Sequence, residues 1–95
     1  HDTRGAALAN ILTAYEGGIR AFDSSIGGLG GCPYAKGSSG NIATEEVVWL
    51  LEGLGLKTGV SIEGLLAVAA WVEERLEKPL KGKLYLSRPG RLYYG

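Results

Sequence analysis

A single clear strand pattern among long helical patterns is the feature that most limits how this chain folds. Residues 19–25, IRAFDSS, have the alternating side-chain direction of a short strand, with Ile19 and Ala21 on one face. The order helix, strand, loop, helix, helix is typical of a parallel α/β fold. A parallel strand needs hydrogen-bonding neighbours on both sides. We therefore expect the chain to be the C-terminal part of a larger α/β domain.

Apolar residues at helical spacing predict three helices, each with a start signal. The first helix is expected over residues 4–16, with Asp2 or Thr3 capping it. Thr44 is expected to cap the second helix and Ser61 the third. The three apolar stripes are Leu8, Ile11, Leu12 and Tyr15; Val47, Leu50, Leu51 and Leu54; and Leu65, Val68, Ala69, Val72 and Leu76.

The last residues are predicted to form a separate tail. Pro79 ends the third helical pattern, so we expect the main domain to cover residues 1–78 and the tail to cover residues 79–95. Within the tail, residues 83–87 predict a possible strand, and Pro89 and Gly90 predict a turn.

Charge and composition restrict the partner and the compartment. Ten Lys and Arg residues balance ten Asp and Glu residues, which argues against nucleic acid or a membrane surface as the main partner. One cysteine suits a reducing compartment. The longest apolar run, GLLAVAAWV, is too short to span a bilayer. No targeting peptide is visible, and since the chain opens at His1 and contains no Met, we expect its natural N-terminus to lie upstream.

The glycine-rich residues 25–41, SIGGLGGCPYAKGSSGN, carry the only cysteine, Cys32. They fail the phosphate-loop pattern because Lys36 precedes Gly37, and they fail the dinucleotide pattern because Pro33 takes the place of its last glycine. In a parallel α/β fold this loop and the residues around His1 both lie at the carboxyl ends of strands, where such folds place their sites. Cys32 is therefore either a small buried side chain or a reactive group on an active-site loop.

The motifs HDT and DSSIGGLGGCPYAKGSSGNIATEEVVWLLEGLGLKTGV closely resemble the C-terminal region of 3-hydroxy-3-methylglutaryl-CoA (HMG-CoA) lyases. The resemblance covers residues 1 to about 75 and centres on GLGGCPY. It implies an α/β fold, the C-terminal part of a TIM (β/α)8 barrel of the metal-dependent pyruvate carboxyltransferase and HMG-CoA lyase type, with an extra C-terminal helix. The implied reaction splits HMG-CoA into acetyl-CoA and acetoacetate, as in leucine degradation and ketone-body formation.

The resemblance also implies roles for individual residues. His1 and Asn41 match metal ligands, with Mg²⁺ or Mn²⁺ as the cation. Cys32 matches the catalytic cysteine, which we interpret as a general acid and base, and Glu45 matches an acidic residue implicated in activity. The matched motifs that face the substrate include Gly30, Gly31 and Asp2.

The remaining expectations follow from the same family. The substrate is a small acyl-CoA, the full-length enzyme is a homodimer without nucleic-acid or membrane partners, and its compartment is the cytoplasm in bacteria or the mitochondrial matrix in eukaryotes. Because other site residues lie upstream in the family, we expect this chain alone to be inactive. Two alternatives stay open: a related barrel enzyme of the isopropylmalate or homocitrate synthase type, and a non-catalytic truncated relic.

Overall fold

The computed structural model describes residues 1–30 and 40–88, and its regular structure in these ranges is helical. The helices are α1 (Ala7–Glu16), α2 (Thr44–Gly53), α3 (Ile62–Leu76) and α4 (Lys83–Leu86). A short 3₁₀ helix, Ile26–Gly28, lies between α1 and α2. We call residues 25–30 the glycine turn.

The predicted strand over residues 19–25 is wrong for this structure. In the described ranges these residues make one isolated parallel bridge, between Ser25 and Ala43. The bridge consists of the Ser25 N–H donating to the Ile42 carbonyl at 3.1 Å and the Thr44 N–H donating to the Ser25 carbonyl at 2.8 Å. A strand needs a longer row of paired backbone groups than one bridge supplies.

The start signals of the helices are confirmed in part. Ser61 caps α3 as predicted, since its Oγ atom accepts from the Gly64 N–H at 3.1 Å. Helix α1 begins at Ala7 and not at residue 4, and neither Asp2 nor Thr3 is its N-cap, although the Oδ1 atom of Asp2 accepts from the Ala7 N–H at 3.1 Å. Thr44 is not a cap, because it is already the first residue of α2. Its hydroxyl group instead lies 2.7 Å from the hydroxyl group of Ser24.

Two apolar clusters form the core. The first joins α1 to α2 and contains Ala7, Ile11, Ile42 and Val47. The second joins α3 to the residues after it and contains Ala69, Leu80 and Tyr85, with Ile26, Leu29 and Leu66 packed against it.

The predicted apolar stripes match the buried faces only in part, since Val47 on α2 and Ala69 on α3 are buried as predicted. On α2, Leu54 is exposed and Val48 is buried; on α3, Val68 and Leu76 are each 49% exposed. Both helices carry apolar residues around much of their circumference, so tertiary packing decides which face is buried.

The predicted strand over residues 83–87 is also wrong, since Lys83–Leu86 form helix α4. The alternation of KLYL fits a strand locally, but the buried Glu46 carboxylate accepts from the Lys83 and Leu84 N–H groups and favours a helical first turn. In the described part of the chain, no helix has both the length and the apolar character needed to cross a membrane.

Candidate functional site

The glycine turn brings two distant parts of the chain into contact. Gly30 has a φ of +99°, and a Cβ atom at this position would lie 2.7 Å from Nδ2 of Asn41. The left-handed backbone and the close approach both require glycine here. The turn therefore places its backbone directly against the side chain of Asn41.

The amide of Asn41 is oriented by this contact. Its Nδ2 atom donates to the Leu29 carbonyl oxygen at 2.8 Å, and the same oxygen accepts from the Ser25 hydroxyl group at 2.6 Å. Because Nδ2 is the donor in this bond, the Oδ1 atom of Asn41 is the end of the amide that is able to bind a cation.

The first residues of the chain lie next to Asn41. The Asp2 N–H donates to the Gly40 carbonyl at 3.0 Å, and the Asp2 carboxylate is engaged at the start of α1. His1 itself is exposed and lines a separate cavity with Phe22 and Asp23.

His1 and Asn41 carry donor atoms of types that bind divalent cations, but two ligands are fewer than such a cation needs. An imidazole nitrogen and an amide oxygen both bind Mg²⁺ or Mn²⁺. Among residues 1–30 and 40–88 there is no group of three His, Cys, Asp or Glu residues that could hold a metal ion. These two residues would therefore need further ligands to hold a cation.

Glu45 is fully buried at the base of the glycine turn. The Gly27 N–H donates to both Oε1 and Oε2 of Glu45, each at 3.1 Å. Burial raises the pKa of the Glu45 carboxyl, and the hydrogen bond from Gly27 offsets part of that rise. The carboxyl group thus contacts the backbone of the turn.

A cleft of about 100 Å³ lies beside these residues. Its lining comprises Asp2, Gly27, Gly28, Asn41, Glu46, Lys81 and Lys83, among others. The cleft is small and mixed in polarity, and its walls come from the start, the middle and the end of the described chain.

The structure brings together the predicted residues Asp2, Gly30, Asn41 and Glu45 around the glycine turn, with His1 next in sequence to Asp2. Two predicted site residues, Gly31 and Cys32, lie outside the described residues. Sequence reasoning missed Leu80, which is 2% exposed and packs against Gly27. Its position after Pro79 in a predicted tail gives no local signal of that contact.

Comparison with known proteins identifies the family. The sequence pattern of the HMGL-like family matches residues 1–72. The chain is 59% identical over 83 residues to the hydroxymethylglutaryl-CoA lyase of Bacillus subtilis, which covers 87% of this chain and 28% of that protein. It is 50% identical over 84 residues to the human mitochondrial hydroxymethylglutaryl-CoA lyase, covering 88% of this chain and 26% of the relative.

Solved structures agree with the sequence comparison. The crystal structure of the Bacillus subtilis HMG-CoA lyase superposes with a TM-score of 0.85 at 58% identity, over 90% of this chain and 28% of that one. An HMG-CoA lyase from Acinetobacter baumannii, in complex with coenzyme A and 3-methylmalate, superposes with a TM-score of 0.84 at 40% identity, over 98% of this chain and 31% of that one. The chain thus spans between a quarter and a third of these relatives, and within that span it belongs to the HMGL-like family.

Proposed function

We propose that the protein carrying these residues is an HMG-CoA lyase, which cleaves 3-hydroxy-3-methylglutaryl-CoA into acetyl-CoA and acetoacetate. The observation that carries the proposal is the 59% identity, over 83 of 95 residues, to a hydroxymethylglutaryl-CoA lyase. The relatives reported above are lyases, which favours this reaction over that of a related synthase. The same relatives favour a TIM barrel in which the Ser25–Ala43 bridge lies at the end of a longer parallel strand.

His1 and Asn41 would hold the divalent cation, Mg²⁺ or Mn²⁺, together with ligands from elsewhere in the protein. When bound, the cation supplies electrostatic stabilisation of negative charge on the substrate hydroxyl oxygen. The Leu29 carbonyl contributes by fixing the Asn41 amide, since it accepts from Nδ2 and leaves Oδ1 for the cation.

Cys32 is proposed as the group that moves protons. Cleavage requires that the tertiary hydroxyl group lose its proton, that the carbon–carbon bond beside it break, and that the acetyl-CoA carbanion gain a proton. A thiol close to both positions serves as general acid and base without forming a covalent bond to the substrate. Gly30 and Gly31 precede it and let the backbone approach the acyl-CoA closely.

Glu45 is proposed to act through the backbone of the glycine turn. Its two carboxylate oxygens face Gly27, and its side chain is 0% exposed, so direct contact with the substrate is not favoured. Asp2 has a comparable supporting role, because it joins the first residues to Gly40 and to α1.

The other partners follow from the activity. The substrate is an acyl-CoA, and the full-length enzyme is proposed to be a homodimer in the cytoplasm of a bacterium or the mitochondrial matrix of a eukaryote. Since the chain spans 28% of the Bacillus subtilis relative, the 95-residue chain alone is proposed to be inactive.

The test replaces the corresponding segment of the Bacillus subtilis lyase with this chain, giving what we call the segment-swap enzyme. We expect it to form acetoacetate from HMG-CoA, to lose activity with a chelator and to regain it with Mg²⁺ or Mn²⁺. The unmodified lyase is the matched control. A folded segment-swap enzyme that forms no acetoacetate with either metal would contradict the proposal and favour a non-catalytic relic.

A further inference from the structure

Residues 80–86, which follow α3, bury Leu80, Gly82 and Tyr85 in the interior and expose Lys81 and Lys83. We call this segment the C-terminal strap. Leu80 is 2% exposed and Tyr85 is 1% exposed, and both belong to the apolar cluster that contacts Ile26 and Leu29 of the glycine turn. The strap lies beyond residues 1–72, where the family pattern matches.

Two carboxylates bind the strap to the helices. On α3, Glu73 accepts from the Leu80 N–H at 2.8 Å and from the Tyr85 hydroxyl group at 2.7 Å. On α2, Glu46 accepts from the backbone N–H groups of Lys83 and Leu84. Charge-assisted hydrogen bonds at both ends of the strap give Leu80 a fixed position in the core.

Leu80 fills the space beside Gly27. A Cβ atom on Gly27 would lie 2.7 Å from Cδ1 of Leu80, so the leucine side chain already contacts the glycine backbone. Gly27 has a φ of +62° and is bound on its N–H side by Glu45. Leu80 and Glu45 therefore hold this residue by two different kinds of contact, apolar packing and hydrogen bonding.

The position of Gly27 also affects Asn41, because both contact Leu29 or its neighbours in the glycine turn. Leu29, two residues after Gly27, packs against the Leu80 cluster, and its carbonyl accepts from Asn41. A shift of the turn would therefore move the acceptor that orients the Asn41 amide. Displacements of about 1 Å in a positioned group are enough to lower turnover by as much as about 100-fold.

We propose that Leu80 is a positioning residue of the lyase site: by packing on Gly27 it fixes the glycine turn, whose Leu29 carbonyl orients Asn41 toward the cation. This inference rests on the proposed function for its effect on turnover, and it assigns a role in the site to a residue of the predicted tail.

The experiment compares Leu80→Ala with Leu80→Met and with Leu51→Ala in the segment-swap enzyme. Leu51 packs against the other apolar cluster and lines a cavity with Tyr15 and Phe22 that contains no proposed site residue, so Leu51→Ala makes the same truncation in another part of the core. The measurements are kcat, KM for HMG-CoA, the Kd for Mn²⁺ and hydrogen exchange of residues 25–30.

For Leu80→Ala we expect kcat to fall about tenfold and the Kd for Mn²⁺ to rise about fivefold, with KM changed less than about twofold, because a misplaced ligand affects the reacting centre most. Exchange of residues 25–30 should rise. Leu80→Met conserves side-chain volume, so kcat, KM, the Kd for Mn²⁺ and the exchange rate should all lie within about twofold of those of the parent enzyme. Leu51→Ala should lower stability while leaving the four values within about twofold of those of the parent enzyme.

Unchanged kcat, Mn²⁺ affinity and exchange in Leu80→Ala would overturn the inference, as would equal effects of Leu80→Ala and Leu51→Ala. If Leu80→Ala does not fold, Leu80→Val carries the same test with smaller changes. Mn²⁺ affinity and hydrogen exchange do not depend on turnover, so they decide the role of Leu80 even if the segment-swap enzyme has no lyase activity and the proposed function fails.

Discussion

Replacing Glu45 by alanine removes the acceptor of a buried backbone N–H group. The Gly27 N–H donates to both carboxylate oxygens at 3.1 Å, and Gly27 is itself buried. An unsatisfied buried donor costs about 1–3 kcal/mol. We therefore expect Glu45→Ala to lower the free energy of unfolding of the segment-swap enzyme by about 1–3 kcal/mol at pH 5, in addition to the cost of the cavity.

The size of this loss should depend on pH in a defined direction. Burial raises the pKa of Glu45 in the native state, so the native state binds a proton more tightly than the unfolded state. The contribution of Glu45 is then fully present below its unfolded pKa and declines as pH rises through the folded pKa. The deficit of Glu45→Ala relative to wild type should be smaller at pH 8 than at pH 5.

Urea unfolding at both pH values measures these quantities, with Glu45→Gln as the matched control. Glutamine keeps an acceptor for Gly27 and does not titrate, so both variants should show the same pH trend relative to wild type. The difference between them should stay constant, since it reports the lost hydrogen bond and the cavity. A deficit that grows with pH, or a Glu45→Ala protein as stable as wild type at pH 5, would refute the reasoning.

Two further substitutions test neighbouring contacts. Gly30→Ala places a Cβ atom 2.7 Å from Nδ2 of Asn41 at a φ of +99°, so we expect the Kd for Mn²⁺ to rise about fivefold or more. Gly53 has open space around it, so the control variant Gly53→Ala should leave that Kd within about twofold of the parent value. Equal Kd values for the two variants would contradict the proposed geometry. Tyr85→Phe removes the hydroxyl group that donates to Glu73 at 2.7 Å, so urea unfolding should show a free energy of unfolding lower by about 1–3 kcal/mol. An unchanged free energy of unfolding would argue that this hydrogen bond does not hold the C-terminal strap in place.

The helices could be predicted from local sequence because their signals are local. The serine at position 61 caps α3 through a bond to a residue three positions later. Ile11 of the predicted α1 stripe is buried, whereas Ala7, the other buried residue of this helix, lies outside that stripe. The strand expected over residues 83–87 failed because the acceptor that favours a helix there, Glu46, lies 37 residues upstream of Lys83. Local alternation carries no information about such a partner.

The sequence suggested candidate site residues whose side chains are chemically reactive or bind ions. It did not suggest a residue that would act by packing. His1, Asn41 and Glu45 were identified by resemblance to a family, and the structure adds how the last two are held. Leu80 could not be identified, because an isolated leucine after a proline has no chemical signature. Its role depends on contact with Gly27, which only the folded chain reveals. The catalytic and metal-binding roles of all these residues, and those of Cys32 and Gly31, stay predictions.

The most direct test of the central claim is acetoacetate formation from HMG-CoA by the segment-swap enzyme with and without Cys32→Ala. General acid and base catalysis contributes about 10²–10⁴-fold, so we predict that Cys32→Ala lowers kcat by at least about 100-fold. Its affinity for Mn²⁺ should stay unchanged, because Cys32 is not among the proposed ligands. A Cys32→Ala enzyme with kcat within about twofold of the parent would contradict the account.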